Sequence, residues 1–347
     1  MHNDWQAFLE SQDATIGGDG AARFDGAPAE PNCALVDLSQ LGLIAVAGPD
    51  AVDFLQGQLS NDLRELSESR TQLNSHCTPK GRMLANFRVL QLEEGLFLVL
   101  PRVLLDTLMK RLRMFLLRAK ATVDDASDAL VCFGIIGGCA ETSLSHAFGA
   151  LPNTVNGMTR AGETVLIRVA GAPPRYLLIG PADSARAAWE AAQAAGAVPA
   201  NPALWELHDI RAGIPTVLPE TSDGFVPQMA NMQLIDGVSF HKGCYTGQEV
   251  VARMQYLGKL KRRMYIAHTE IGSGAMPPAP GASLSAESST SEQAAGRVVN
   301  AVEAAPGHYE MLVVGEIHAA ESGDLRLGED GPALEINPPP YGFSAEV

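Results

Sequence analysis

Apolar positions along the chain follow two rhythms. Residues 41–48, LGLIAVAG, form an apolar run closed by Gly48 and Pro49, which predicts a buried strand. In the next segment, DAVDFLQGQLSNDL, Val52, Leu55, Leu59 and Leu63 recur at helical spacing, with Asp50 as the expected N-cap. From Asn74 the pattern NSHCTPKGRMLANFRVLQLEEGLFLVLP predicts extended structure, with turns at Pro79-Lys80-Gly81 and Glu93-Glu94-Gly95. Residues 102–120 predict an amphipathic helix. Leu105, Leu108, Leu112 and Phe115 line one side, while Lys110, Arg111, Arg113, Arg118 and Lys120 decorate the rest. The runs LVCFGIIG, TVLIRVA and RYLLIGP read as strands and lead into a further helix at residues 182–196.

Strand–helix–strand–strand–helix order with hairpins predicts α+β units of ferredoxin-like type, two of them within residues 32–255. Residues 11–31 are rich in Gly, Ala, Asp and Pro, so residues 1–31 are expected to form a mobile, loop-like arm. Past residue 263 helical signals vanish, and short strands with Gly/Pro turns predict a C-terminal β-domain or barrel over residues 256–347. The low-complexity stretch 272–296 is expected to be an exposed loop, and the tail INPPPYGF cannot be helical at its prolines.

Charge narrows the function classes. The 347 residues carry 25 basic and 40 acidic side chains, a formal net charge of −15. Such a field disfavours direct binding to nucleic acid or to an anionic membrane surface. No apolar run is long enough for a transmembrane helix, and no basic-then-apolar leader opens the chain, so neither a membrane span nor a secretory signal is expected. The five cysteines (Cys33, Cys77, Cys132, Cys139, Cys244) are odd in number and sparse, which predicts reduced thiols and a cytoplasmic setting. Cys132 and Cys139 fit no zinc or ferredoxin spacing and are expected in the core, so no stable metal site is predicted.

Candidate chemistry concentrates in residues 205–263, and most densely in Lys242-Gly243-Cys244-Tyr245-Thr246-Gly247-Gln248-Glu249. Two glycines bracket the thiol, and Thr246 is the expected cap of a helix that starts near Gln248 and runs through Glu249 to Arg253. A helix N-terminus and Lys242 beside Cys244 would both favour the reactive thiolate. A lone cysteine is usually a buried small hydrophobe, but the polar, Gly-rich setting here favours a functional thiol. His241 is adjacent in sequence only, which gives a Cys–His hydrolase little support. Between Lys242 and Arg263 there are six basic residues (Lys242, Arg253, Lys259, Lys261, Arg262, Arg263) against Glu249 alone. This basic island in an acidic chain suits a small ligand bearing carboxylates or phosphates. Trp205 upstream has the flat face that stacks on a heterocycle.

The segment KGCYTGQEVVAR resembles the signature of the YgfZ-type folate-binding proteins, relatives of the glycine-cleavage T-protein (aminomethyltransferase). GLIAVAGPDAVDFLQGQLSND, HCTPKGRMLANF, WELHDIRAGIP and FVPQMANMQLIDGVSFHKGCY agree with it, so the resemblance covers about residues 35–265. It implies a T-protein-like fold of ferredoxin-like units followed by a β-barrel. It also implies binding of tetrahydrofolate or a derivative, and a role in iron–sulfur cluster assembly or repair in client enzymes, including enzymes that modify tRNA. By the same resemblance Cys244 is the functional thiol, able to act as a transient metal ligand. Trp205, Asn86, Lys242, Gln248, Glu249 and Arg253 would then hold the folate and its carboxylate tail.

The sequence departs from the T-protein pattern at positions that matter. Asn86 stands where T-proteins carry a carboxylate, and Arg211 replaces the glutamate before Ala-Gly. Leu41 lies where some YgfZ-type members have an aromatic residue, so one wall of a folate pocket would be weaker. A neutral amide cannot supply negative charge, so aminomethyl transfer is not expected. The alternatives are a folate-dependent one-carbon transferase, a folate-independent thiol enzyme, and a binding module in which Cys244 is structural.

Overall fold

The computed structural model describes residues 1–93, 95–272, 276–289 and 294–343. The chain forms two units. The first comprises residues 1–55, 63–72 and 88–208; the second comprises residues 56–62, 73–87 and 209–347.

In the first unit a six-stranded sheet runs in the order Met158–Ala161, Thr164–Val169, Arg175–Gly180, Val131–Ile136, Ala34–Asp37, Val198–Ala200. Its neighbours are antiparallel except the last pair. Nearly every residue of its central strands is buried, as expected for continuous apolar runs packed on both faces. The predicted strand is Leu41–Ala47, pairing antiparallel with Gly95–Pro101 and with Thr122–Asp125. The predicted amphipathic helix spans Arg102–Leu116 and buries Leu104, Leu105, Leu108, Met109 and Leu112, while Phe115 is exposed.

The N-terminal stretch differs from the expected loop-like arm. Residues Asn3–Ser11 are helical, and Ala14–Ile16 pairs with Ala22–Phe24 as a short hairpin. Trp5, Phe8 and Leu9 share one helical face and are buried against Trp189 and Phe133. The buried carboxylate of Asp37 accepts from Trp5 Nε1 (2.9 Å), the Ala22 N–H (2.9 Å) and Ser39 Oγ (2.8 Å). Burial pushes the Asp37 pKa upward, against those three donors. The Gly-rich composition concealed three well-spaced aliphatic and aromatic anchors just before it.

The second unit is built on an antiparallel half-barrel sheet in the order Arg326–Leu327, Ser283–Ser285, Gly296–Ala305, His308–Glu316, Arg262–Glu270, Glu335–Asn337. Register shifts at Val298/Asn300 and Glu303/Ala305 curve the long hairpin around Tyr265, Val298, Met311 and Val313. Two features differ from expectation. Ser283–Ser285 forms a strand inside the stretch expected to be a loop, and a short helix, Ile317–Ser322, follows the long hairpin. Residues 273–275 and 290–293 of the low-complexity stretch, and Glu94 of the second expected turn, lie outside the described residues. Among the described residues no helix is long and apolar enough to cross a membrane.

Candidate functional site

Lys242 is the anchor of the signature segment. Its side chain is only 6% exposed, and its ammonium donates to the carbonyls of Gln56 (2.8 Å), Leu59 (2.6 Å) and Asn61 (2.9 Å). All three donors of the ammonium are thereby used. The charge also lies 5.1 Å from the centre of the Tyr245 ring. These carbonyls are available because the chain leaves helical geometry early. The helix over Ala51–Gln56 stops there, whereas the spacing of Leu59 and Leu63 predicts its continuation. Asp50 accepts from the Lys120 backbone N–H (2.7 Å). Residues 57–62 instead form a loop that Asn61 pins. Its amide nitrogen donates to Leu73 O (3.1 Å) and Asp236 O (2.7 Å), and its backbone N–H donates to Asn74 Oδ1 (2.8 Å). Sequence reasoning missed Ser60 and Asn61. The signal lay in Gly57 and in the polar run Ser60-Asn61-Asp62, which interrupts an apolar helical face.

The helix after the thiol spans Gln248–Tyr256, beginning where the sequence predicts. Its cap is Gly247 rather than Thr246, with φ 85° and ψ 0° and no side-chain cap bond. The left-handed backbone is what selects glycine there, and a Cβ would collide with Thr78 O and with Gly81. Gly81, at φ 70° in the turn closed by Gly81 N–H to Thr78 O (2.8 Å), leaves no room for a side chain against Val250. The Pro79-Lys80-Gly81 turn and the signature segment therefore pack backbone on backbone. Thr246 serves the same frame through its N–H, which donates to Gly57 O at 3.3 Å.

Within this frame burial alternates. Lys242 and Tyr245 are buried; His241, Gly243 and Cys244 are exposed. Burial holds the Tyr245 phenol well above its ordinary range, in its neutral form. Cys244 is the exposed member of the free thiols, whereas Cys77 and Cys132 are buried. Burial pushes the Cys77 thiol up to about 12 and raises that of Cys132 as well. Glu249 and Arg253 are exposed and Gln248 half-buried, and among the described residues their side chains make no hydrogen bond or ion pair. Cys33 and Cys139, expected as separate reduced thiols, are brought together as a pair with Cα atoms 6.0 Å apart. A spacing argument cannot see a contact across 106 residues. Among the described residues no group of three or more His, Cys, Asp or Glu could hold a metal ion.

Asn86 is 6% exposed, and both ends of its amide are engaged. Its nitrogen donates to Pro215 O (2.7 Å) and its oxygen accepts from the Val217 N–H (2.8 Å). A carboxylate would repel the Pro215 oxygen, which gives the amide at this position a physical reason. Arg211 pairs with Glu310 through Nε and the terminal nitrogen, at 2.6–3.2 Å. In the other unit, Trp205 is 7% exposed, and the Arg175 guanidinium lies 4.7 Å from its ring centre. Gly134 packs so closely on that ring that a Cβ would collide with it.

Comparison with known proteins agrees with this architecture. The GCVT N-terminal domain family matches residues 28–175. A tRNA-modifying protein YgfZ of Yersinia pseudotuberculosis is 33% identical over 314 residues, covering 90% of this chain and 93% of its own length. The chain belongs to the YgfZ family. The YgfZ of Colwellia psychrerythraea is 34% identical over 242 residues, with 70% of this chain and 73% of that protein covered. The glycine cleavage aminomethyltransferase T of Bartonella henselae superposes with a TM-score of 0.75 over 98% of both chains at 17% identity. That likeness shows a shared fold, so this YgfZ-family chain has the T-protein-like architecture its motifs predict. The Lys242 cage, the Gly81–Gly247 contact and the exposed Cys244 are thus features of a family member on a T-protein scaffold.

Proposed function

We propose that this chain is a tetrahydrofolate-binding accessory protein that uses Cys244 in assembly or repair of iron–sulfur clusters in client enzymes, tRNA-modifying enzymes among them. The observation that carries the reading is the exposed thiol beside a buried, fully bonded Lys242, with a glycine-locked helix start three residues later. A cluster needs several protein ligands, so a single thiol acts as one transient ligand or as an exchange thiol, with the client or an assembly partner supplying the others. Such work belongs in the cytoplasm, where an exposed thiol stays reduced. It involves no direct contact with nucleic acid, and tRNA would be affected through the client enzymes.

Tetrahydrofolate, when bound, supplies a carrier for one-carbon units. The residues suit its tail better than its ring. Arg253 and Lys259 are exposed cations for glutamate carboxylates, and the Asn86 amide retains one N–H and one lone pair beyond the two bonds it makes. Trp205, Lys242, Gln248 and Glu249 complete the expected folate set, Lys242 by shaping the loop rather than by offering its charge. The second reading, aminomethyl transfer, is disfavoured by the neutral clasp at Asn86 and by Arg211, whose charge is matched to Glu310.

Two measurements test the proposal. Tetrahydrofolate titrated into the wild type is expected to saturate, with weaker binding to Trp205→Ala, and absence of saturation at millimolar ligand overturns the folate role. In cells lacking the protein, Cys244→Ala is expected to fold normally yet leave iron–sulfur enzyme activity unrestored. Full rescue by that variant overturns the thiol role.

A further inference from the structure

The six-stranded sheet of the first unit has two different faces. Ile167, Val169 and Leu177 pack with Trp205 on one, whereas Leu166, Tyr176 and Leu178 pack on the other. Arg168 falls on the second face by alternation, and the strand register sets it directly across from Tyr176. Its guanidinium lies 5.4 Å from the centre of that ring. Both residues line a cleft of about 360 Å³, together with Glu141 and Ser145 of the helix Cys139–Phe148. The volume falls in the range of small-molecule sites.

The half-buried Arg168 has a spare side to its guanidinium. Nη1 donates to the carbonyls of Val169 and Arg175, the latter at 3.1 Å, which uses both of its protons. Among the described residues the Nε–Nη2 edge makes no hydrogen bond, and no carboxylate pairs with the charge. That edge is a fork that grips an oxyanion through two parallel N–H bonds. Burial holds the Arg168 pKa below its ordinary value, and the charge of Arg175 pushes the same way. A desolvated cation without a counter-ion is costly, and an incoming anion would relieve it. The Tyr176 hydroxyl also has no hydrogen-bond partner among the described residues, and burial keeps it protonated as a donor. Glu141 on the lining opposes a dianion, while Leu151 and Pro174 supply apolar wall. We propose that this cleft binds a small monocarboxylate with an apolar body, held by the Arg168 fork and the Tyr176 hydroxyl. None of these residues belongs to the expected folate set, and the site rests on neither the folate nor the thiol reading.

The test is calorimetric titration of the full chain with 3-phenylpropanoate, its neutral amide 3-phenylpropanamide, and inorganic phosphate. The carboxylate is expected to saturate below about 20 mM, the amide to bind at least about tenfold more weakly, and phosphate more weakly than the carboxylate. Tyr176→Phe removes a hydroxyl that bonds nothing in the protein. It is expected to weaken the carboxylate by about threefold or more with the unfolding midpoint unchanged. Arg168→Lys keeps the charge but not the fork, and is expected to weaken it by about tenfold. No saturation up to about 20 mM overturns the proposal. So does equal affinity for the amide, tighter binding of phosphate, or indifference to either substitution.

Discussion

Lys242 and Cys244 stand two residues apart and obey opposite constraints. The lysine is sealed inside, every donor matched to a carbonyl, and any change to it disturbs a loop far away in sequence. The thiol is free and exposed. Within eight residues the segment therefore contains a buried frame and an exposed edge. Asn86 belongs with Lys242, while Glu249 and Arg253 belong with Cys244. In a motif of this kind charge does not signal exposure, because the buried ammonium is held by three backbone carbonyls and lies over the Tyr245 ring.

The comparison can be broken most severely at the frame. Lys242→Met should lower the unfolding free energy by about 3 kcal/mol in urea denaturation, since three buried carbonyls lose a charged donor together. An unchanged midpoint would remove Lys242 from the frame. Asn86→Asp should cost about 2 kcal/mol at neutral pH, where the introduced carboxyl is ionised against Pro215 O. The folded state raises the pKa of that carboxyl above its unfolded value. The penalty should therefore be full above the folded pKa and disappear as pH falls below the unfolded one. Gly247→Ala should cost about 2 kcal/mol, combining the left-handed backbone with the contact to Thr78. Cys244→Ser should change stability by no more than about 0.5 kcal/mol. Iodoacetamide near pH 8 should label Cys244 well before Cys77 or Cys132, whose thiols are buried and held protonated. Equal labelling rates would erase the distinction between the edge and the core.

Much of this division was legible in the sequence, though not all. The strand at residues 41–47 and the helix from Arg102 follow from the apolar pattern, because each buries an apolar face, and the helix start at Gln248 follows from the capping segment before it, although the cap is Gly247 rather than Thr246. The island of basic residues was legible as charge but not as burial. Lys242 reads like Lys259 in a string of letters, and only the loop at residues 57–62 sets them apart. That loop was read as helix because Leu59 and Leu63 keep the helical interval. The competing influence is hydrogen bonding by the Ser60 and Asn61 side chains to the distant carbonyls of Gly237, Leu73 and Asp236, which outweighs the interval. The Cys33–Cys139 pair and the Asn86 clasp depend on long-range contacts, which no local pattern encodes.

The Lys242 cage also bears on the order of events at the ribosome. Its acceptors, at residues 56, 59 and 61, emerge some 181–186 residues before the lysine that ties them together. Until then the early loop has three carbonyls and no ammonium, and the glycine turn at residue 81 has no partner at residue 247. The platform for the thiol is thus completed late in synthesis, with most of the chain already made. A nascent chain that has not yet reached the signature segment holds the loop at residues 56–62 without the ammonium that ties its carbonyls together.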